Sequence, residues 1–209
     1  MALVFTRSVG PLSCNMVIIA DPVTREAVLV DPGGDAAEII AVIETHSLKI
    51  LQILITHAHL DHILASEEIK KYTGAKCWFH AADKKLWLSV PLQCMFMGVP
   101  QPSKPMKVPE HNLEDGERLQ VRNGVTLYTP GHTQGSVCFY FPDDKLICTG
   151  DTLFAGSVGR TDLPGGNFNS LISSIREKLL VLPEETRVIP GHGPETTIGE
   201  EKFNNPFLQ

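Results

Sequence analysis

Four side chains able to ligate a metal stand within six residues of one another, in Thr56-His57-Ala58-His59-Leu60-Asp61-His62. They follow the apolar run Ile50-Leu51-Gln52-Ile53-Leu54-Ile55, which reads as a buried strand. Three more candidates lie downstream, each beside glycine at or just past the end of an expected strand: His132 in Pro130-Gly131-His132-Thr133, Asp151 in Thr149-Gly150-Asp151-Thr152, and His192 in Pro190-Gly191-His192-Gly193. His57 and His59 are two apart, so on a chain leaving a strand both can face one ion. Asp61 and His62 diverge from them and can serve a second ion beside the first. Seven residues, five histidines and two aspartates, are too many for one ion. Two ions can use them all, with three histidines on one, the rest on the other, and one aspartate bridging. A structural zinc site would favour cysteine thiolates, and none of the five cysteines lies in these motifs. His46, His80 and His111 each stand alone and read as surface or packing residues.

The elements that must position these groups alternate between strand and helix in the first third. Strands are expected at 17–19, 27–30 and 50–55, and a helix through 36–43 with Asp35 as its N-cap. A second helix is expected from about Leu60 to Tyr72, stopped by Gly74. A short strand at Trp78-Phe79 and a helix over 81–88 follow. The segment 91–109 holds five prolines and reads as an irregular connection, either a lid or an ordered loop over the core. Beyond it the pattern is mostly β. Arg118–Arg122 and Val125–Thr129 flank the turn dipeptide Asn123-Gly124, and 136–141 and 145–148 flank Pro142-Asp143-Asp144. A helix over 167–181 and a last strand at 187–189 complete the series. Strands and helices in both halves suggest two mixed sheets packed face to face with helices outside, an α/β sandwich in a single domain of 1–209.

A chain of 209 residues, 43% hydrophobic, can bury a sizeable core. Its net charge of -6 argues against a nucleic-acid partner, which needs a basic face. Five cysteines, an odd number with no CxxC pair, fit buried thiols in a reducing compartment. The N-terminal residues lack the pattern of a secretory leader, and no apolar run is long enough to span a membrane. A cytoplasmic location without a membrane partner is expected. Nothing marks an oligomeric state.

The ordered set His57-Ala58-His59-Leu60-Asp61-His62, His132, Asp151 and His192 resembles the metallo-β-lactamase superfamily. The resemblance covers essentially the whole chain and implies an αββα sandwich with the site at one edge of the two sheets. It implies His57, His59 and His132 on a first metal, Asp61, His62 and His192 on a second, and Asp151 between them. Within the superfamily, Val30-Asp31-Pro32-Gly33-Gly34, Gly150-Asp151-Thr152-Leu153-Phe154, Gly159-Arg160-Thr161-Asp162 and Asn205-Pro206-Phe207-Leu208-Gln209 resemble the short bacterial glyoxalase II-like proteins, the hydroxyacylglutathione hydrolases. Longer members add a C-terminal helical segment with basic residues for glutathione; after Gly193 this sequence carries only Lys202. Asp31 is then a partner beneath the metal loop, or else a turn residue ahead of Pro32. Arg160 is the candidate for an anionic substrate group, or else a loop-holding partner of Asp162. Phe154 lines the pocket or simply packs.

The chemistry implied is thioester hydrolysis, of S-D-lactoylglutathione or a related acyl-glutathione. A water shared by two divalent ions loses its proton far more readily, its pKa falling from ~15.7 to about 7. Asp61 is the candidate to orient that nucleophile. Zinc is the first expectation for the ions, with iron or manganese also suited to nitrogen and oxygen ligands. The leading rival is a mononuclear iron persulfide dioxygenase acting on glutathione persulfide, with His57, His132 and Asp151 as a facial triad. A lactonase or β-lactamase, and a metal-binding protein without catalysis, are further alternatives.

Overall fold

A computed structural model describes residues 1–102 and 106–209. The first half gives strands β1 (Leu3–Val9), β2 (Cys14–Ala20) and β3 (Glu26–Val30), helix α1 (Ala36–Thr45), and strand β4 (Lys49–Leu54). Helices α2 (Leu60–Ile63) and α3 (Ser66–Thr73), strand β5 (Lys76–Phe79), and helices α4 (Lys84–Leu88) and α5 (Val90–Met97) follow. The second half holds β6 (His111–Asn112), β7 (Val125–Tyr128), β8 (Val137–Phe141), β9 (Leu146–Gly150), β10 (Leu153–Phe154) and β11 (Ser157–Val158). It closes with α6 (Phe168–Ser174), which runs into a π turn over Ile175–Leu179, then β12 (Arg187–Pro190), β13 (Thr196–Thr197) and α7 (Ile198–Asn204).

One large sheet has the order β1-β2-β3-β4-β5-β6 and the second β13-β12-β9-β8-β7, while β10 and β11 form a two-stranded sheet of their own. In the first, β1 to β3 form an antiparallel meander and β3 to β6 run parallel. In the second, β12 runs parallel to β9. Side-chain alternation sorts the apolar residues into three layers. On β2, Met16 and Ile18 face helices α1, α3 and α5, while Val17 and Ile19 meet Val137, Phe139, Phe141 and Leu146 of the opposite sheet. On the far side, Cys138, Ile147 and Val188 pack against Leu171, Ile175, Leu179 and Ile198 of the outer helices. The result is the expected αββα sandwich. Phe139 is fully buried between the sheets, and its truncation to alanine would cost about 3–5 kcal/mol.

Several elements differ from expectation, each for a visible reason. Asp35 is left-handed (φ 47°) and makes no side-chain cap; its Oδ2 instead accepts from the Gly10 N–H at 2.8 Å. The helix expected from Leu60 breaks after Ile63 because the Ala65 N–H donates to the Pro32 carbonyl (2.9 Å) and leaves the helical ladder. Gly74 ends α3 as expected, at φ 72°. The start of the proline-rich segment is helical: Pro91 sits in the first turn of α5, where its missing N–H costs nothing. Pro105, which belongs to the expected connection, lies outside the described residues. Arg118–Arg122 is a turn with a single bridge, Arg118 to Val125. Its ladder is lost because the Gln120 N–H donates to the buried Gln52 side chain (2.8 Å), and the left-handed turn residues are Arg122 and Asn123. β1, β6, β10, β11, β13 and α7 lie outside the elements that the sequence pattern predicts.

Candidate metal centre

All seven candidate ligands converge at one end of the sandwich. His57 follows β4 and His59 precedes α2; Asp61 and His62 lie within α2. His132 lies between β7 and β8, Asp151 follows β9, and His192 follows β12. Because β3, β4, β9 and β12 leave their sheets at the same end, loops far apart in sequence meet there.

Among the described residues four overlapping groups of three metal-competent side chains form. The group of His57, His59 and His132 shares no residue with that of Asp61, His62 and His192, while His57, His62 and Asp151 join these two and Cys14 and Asp31 lie behind His62. His57, His59 and His132 each bring a ring nitrogen to within 4.8 Å of the others, and so do the ligand atoms of Asp61, His62 and His192. Asp151 lies between them. Its Oδ2 is 3.6 Å from His132 Nε2, while its Oδ1 is 3.4 Å from His62 Nε2 and 3.8 Å from His192 Nε2. Three buried atoms in this space, His57 Nε2, His62 Nε2 and Asp151 Oδ1, have no hydrogen-bond partner. Such orphans are costly unless something else satisfies them. Neutral imidazole nitrogens and carboxylate oxygens around a shared gap form a donor set that fits divalent cations.

The electrostatics differ between the two groups, with neutral rings favoured at His57 and His59 and charged rings favoured at His62 and His192 by the carboxylates around them. Burial holds His57 neutral, well below the usual histidine range, and the neighbouring imidazoles push the same way. Burial and then His132 hold His59 down to about 4. Burial opposes ionisation of Asp61, but His62 and His192 outweigh it and keep the carboxylate ionised. Burial also opposes charge on His62, and its anionic surroundings outweigh it. Cys14 is not one of those charges in practice, since burial pushes its thiol up to about 12; the aspartates supply the field.

Surrounding groups orient the rings. Asp31, buried at the end of β3, accepts from the Thr56 N–H (2.8 Å) and hydroxyl (2.6 Å) and from His62 Nδ1 (2.9 Å), leaving His62 Nε2 directed at Asp61 and Asp151. It is also a turn residue, at φ 49°. His132 Nδ1 donates to the Arg160 carbonyl at 2.7 Å, which turns Nε2 toward His59 Nδ1 at 2.9 Å. Gly191 permits the close approach of the loops: a Cβ there would lie 2.3 Å from Asp151 Oδ1 and 2.7 Å from His62 Cε1.

The Arg160 side chain is exposed and forms a two-pronged pair with Asp162, both contacts at 2.7 Å. Phe154 is half-buried on β10. The three solitary histidines lie elsewhere: His46 packs on Phe5, His80 on Tyr128 and His111 on Trp78. All five cysteines are buried and free of disulfides.

Sequence reasoning missed several neighbours of the site. Cys14 Sγ lies 3.5 Å from His62 Nδ1. Asn15 donates from Nδ2 to the Pro190 (3.0 Å) and Gly193 (2.9 Å) carbonyls and so pins the loop of His192. Asp83 and Gln93 hold the loop of His57 and His59. None of these has a local signal, because each partner is more than 30 residues away or, for Asp83 and Ala58, 25.

The fold and the site together define a class, and sequence comparison agrees: the family model of the metallo-β-lactamase superfamily matches residues 9–192. The chain belongs to that superfamily. Among its relatives is the probable metallo-hydrolase YqgX of Bacillus subtilis, 41% identical over 206 residues, 96% of this chain and 94% of the relative. The hydroxyacylglutathione hydrolase GloC of Haemophilus influenzae is 42% identical over 187 residues, 88% of each. Among solved structures, the B3 metallo-β-lactamase BLEG-1 superposes with a TM-score of 0.91 at 37% identity, over 99% of both chains. TTHA1623 in a di-iron-bound form superposes with a TM-score of 0.89 at 40% identity, over 98% of this chain and all of that one. No helix among the described residues is long and apolar enough to cross a membrane.

Proposed function

We propose that this protein is a metal-dependent thioester hydrolase of the glyoxalase II type, cleaving S-D-lactoylglutathione or a related acyl-glutathione. One observation carries the two-cation part of this reading: the Asp151 carboxylate turns one oxygen to His132 and the other to His62 and His192, between two adjoining three-ligand groups. The hydroxyacylglutathione hydrolase among the relatives supports the substrate class. His57, His59 and His132 would hold one ion and Asp61, His62 and His192 the other, with Asp151 shared. Zinc is the first choice, and the di-iron relative makes iron the next. The five buried thiols fit a reducing, cytoplasmic setting.

Divalent ions bound there would acidify a water and polarise the substrate carbonyl. The residues do the rest. Asp61 Oδ2, 3.1 Å from His192 Nε2, is held ionised and can orient the attacking water, whose first proton passes to bulk solvent. Water oxygen bonds to the acyl carbon, the C–S bond breaks, and the sulfur leaves as a thiolate, so no dedicated acid is needed. Arg160 stands on the loop whose carbonyl orients His132 and can meet a glutathione carboxylate once it leaves Asp162.

The test is metal analysis per chain, with S-D-lactoylglutathione, a β-lactam, and glutathione persulfide with oxygen uptake assayed on the same sample. About two ions per chain with thioester cleavage is the expected result. β-Lactam turnover without thioester cleavage would move the substrate class toward the BLEG-1 relative. One iron with oxygen uptake and no hydrolysis would establish the dioxygenase, with His57, His132 and Asp151 as its triad.

A further inference from the structure

The backbone that spaces His57 and His59 is gripped by two side chains from the helical segment after β5. Ala58 donates its N–H to Asp83 Oδ2 (3.0 Å), and its carbonyl accepts from Gln93 Nε2 (3.3 Å). The next free donor, the Leu60 N–H, gives to Gln93 Oε1 (2.9 Å). A chain that has just left a sheet has no ladder partners, and Ala58 and Leu60 are buried, so these groups must be paired by side chains.

Asp83 reaches a second loop as well. The Thr133 hydroxyl, beside His132, donates to its Oδ2 at 2.8 Å, and the Gly135 N–H to its Oδ1 at 2.7 Å. One buried carboxylate therefore ties the loop of His57 and His59 to the loop of His132. Glycine is required at 135, where a Cβ would lie 2.6 Å from Asp83 Cγ. Gln93 is itself fixed, since Nε2 also donates to the Leu86 carbonyl (2.9 Å) and Ser89 Oγ (3.3 Å) at the junction of α4 and α5. Donor and acceptor roles leave no freedom in either residue: Asp83 faces three donors, and Gln93 offers its amide N–H groups to carbonyls and its oxygen to an N–H.

We propose that Asp83 and Gln93 are positioning residues that set the mutual placement of His57, His59 and His132 and thereby the affinity of that cation seat. The inference rests on the proposal above that these three histidines share an ion.

The test uses cobalt(II) as the probe. Metal-free protein is titrated against a competing chelator, the visible absorption bands of the bound ion are recorded, and the urea midpoint of each metal-free variant is measured. Gln93→Glu keeps the acceptor for Leu60 but sets an oxygen against the Ala58 carbonyl. Gln93→Met removes both contacts from a half-buried position. Asp83→Asn presents an amide N–H to a donor. In the two Gln93 variants, cobalt should bind about 10–100-fold more weakly at one seat, with shifted bands. Unchanged affinity and bands in both Gln93 variants would overturn the proposal for Gln93, and unchanged affinity and bands in Asp83→Asn would overturn it for Asp83. So would a lowered urea midpoint with wild-type bands, the mark of a purely structural role. Wild-type protein that binds no cobalt, or that still binds two ions per chain after His57→Ala and His132→Ala, would overturn the underlying metal assignment instead.

Discussion

Asp31 shows how one side chain can govern the site without touching substrate. Its carboxylate takes both Thr56 donors and His62 Nδ1, so it fixes the start of the ligand loop and the direction of one ring together. Asp31→Asn should weaken binding at the seat of Asp61, His62 and His192 about 10–100-fold, read by chelator competition. The effect should be smaller at the histidine-only seat. Arg160 and Asp162 make an opposed pair of predictions. Their contact is exposed, so it adds little to stability. If Arg160 meets an anionic substrate, Arg160→Ala should raise KM for an acyl-glutathione about 10-fold with kcat nearly unchanged. Asp162→Ala frees the guanidinium and should lower KM. Equal KM in both variants would show that the pair only holds its loop.

At the scale of elements, the two ends of the sandwich are built differently. The site end is tied by side chains onto backbone, whereas the opposite end is tied by charge. There Arg122 Nε and Nη2 meet the Asp144 carboxylate at 2.9 and 2.8 Å, and Nη1 reaches Asp21 Oδ2 at 3.3 Å. Three turns, before β7, between β8 and β9, and between β2 and β3, are thereby stapled together. The Asp144 side chain is only 4% exposed, so screening is limited. Arg122→Ala should cost about 1–2 kcal/mol of stability at neutral pH. The sign with pH follows from Asp144. Burial pushes its pKa up, but the Arg122 hydrogen bond and charge outweigh this and lower it. A lowered carboxylate pKa gives stability that is present above the usual value of about 4 and is lost as pH falls through the folded value. Wild type and variant should therefore converge below about pH 4 in urea titrations. A constant gap would show that packing of the arginine, not charge, carries the effect.

At the scale of the whole molecule, the site joins both sheets and both halves of the chain. An ion bound there would cross-link β4, β9, β12 and the loop before β8. Any ligand of the folded state alone stabilises it by mass action, about 4 kcal/mol at a thousandfold excess over Kd. For a chain of this size that corresponds to a Tm shift of roughly 10 °C. Exhaustive chelation should lower Tm by about that amount, and added zinc should restore it. A Tm indifferent to chelator would mean that these residues hold no ion in the purified protein.

The sequence by itself determined the types and order of the candidate ligands and the strands that carry them. Candidate ligands at strand ends are local patterns, and the parallel neighbours β9 and β12 carry Asp151 and His192 to one edge, whereas His57, which follows β4 of the other sheet, joins them only once the two sheets pack. The tertiary structure alone decided what holds the ligands. Asp83 reads like any polar residue opening a helix, and Gln93 lies in a proline-rich stretch that looks irregular; their partners are backbone groups 25 to 52 residues away. It also broke the helix after Ile63, because Pro32 offered the Ala65 N–H a better acceptor. Local propensity reports a residue's own backbone preference. Hydrogen bonds between loops depend on where other loops arrive, and that is known only once the two sheets have packed.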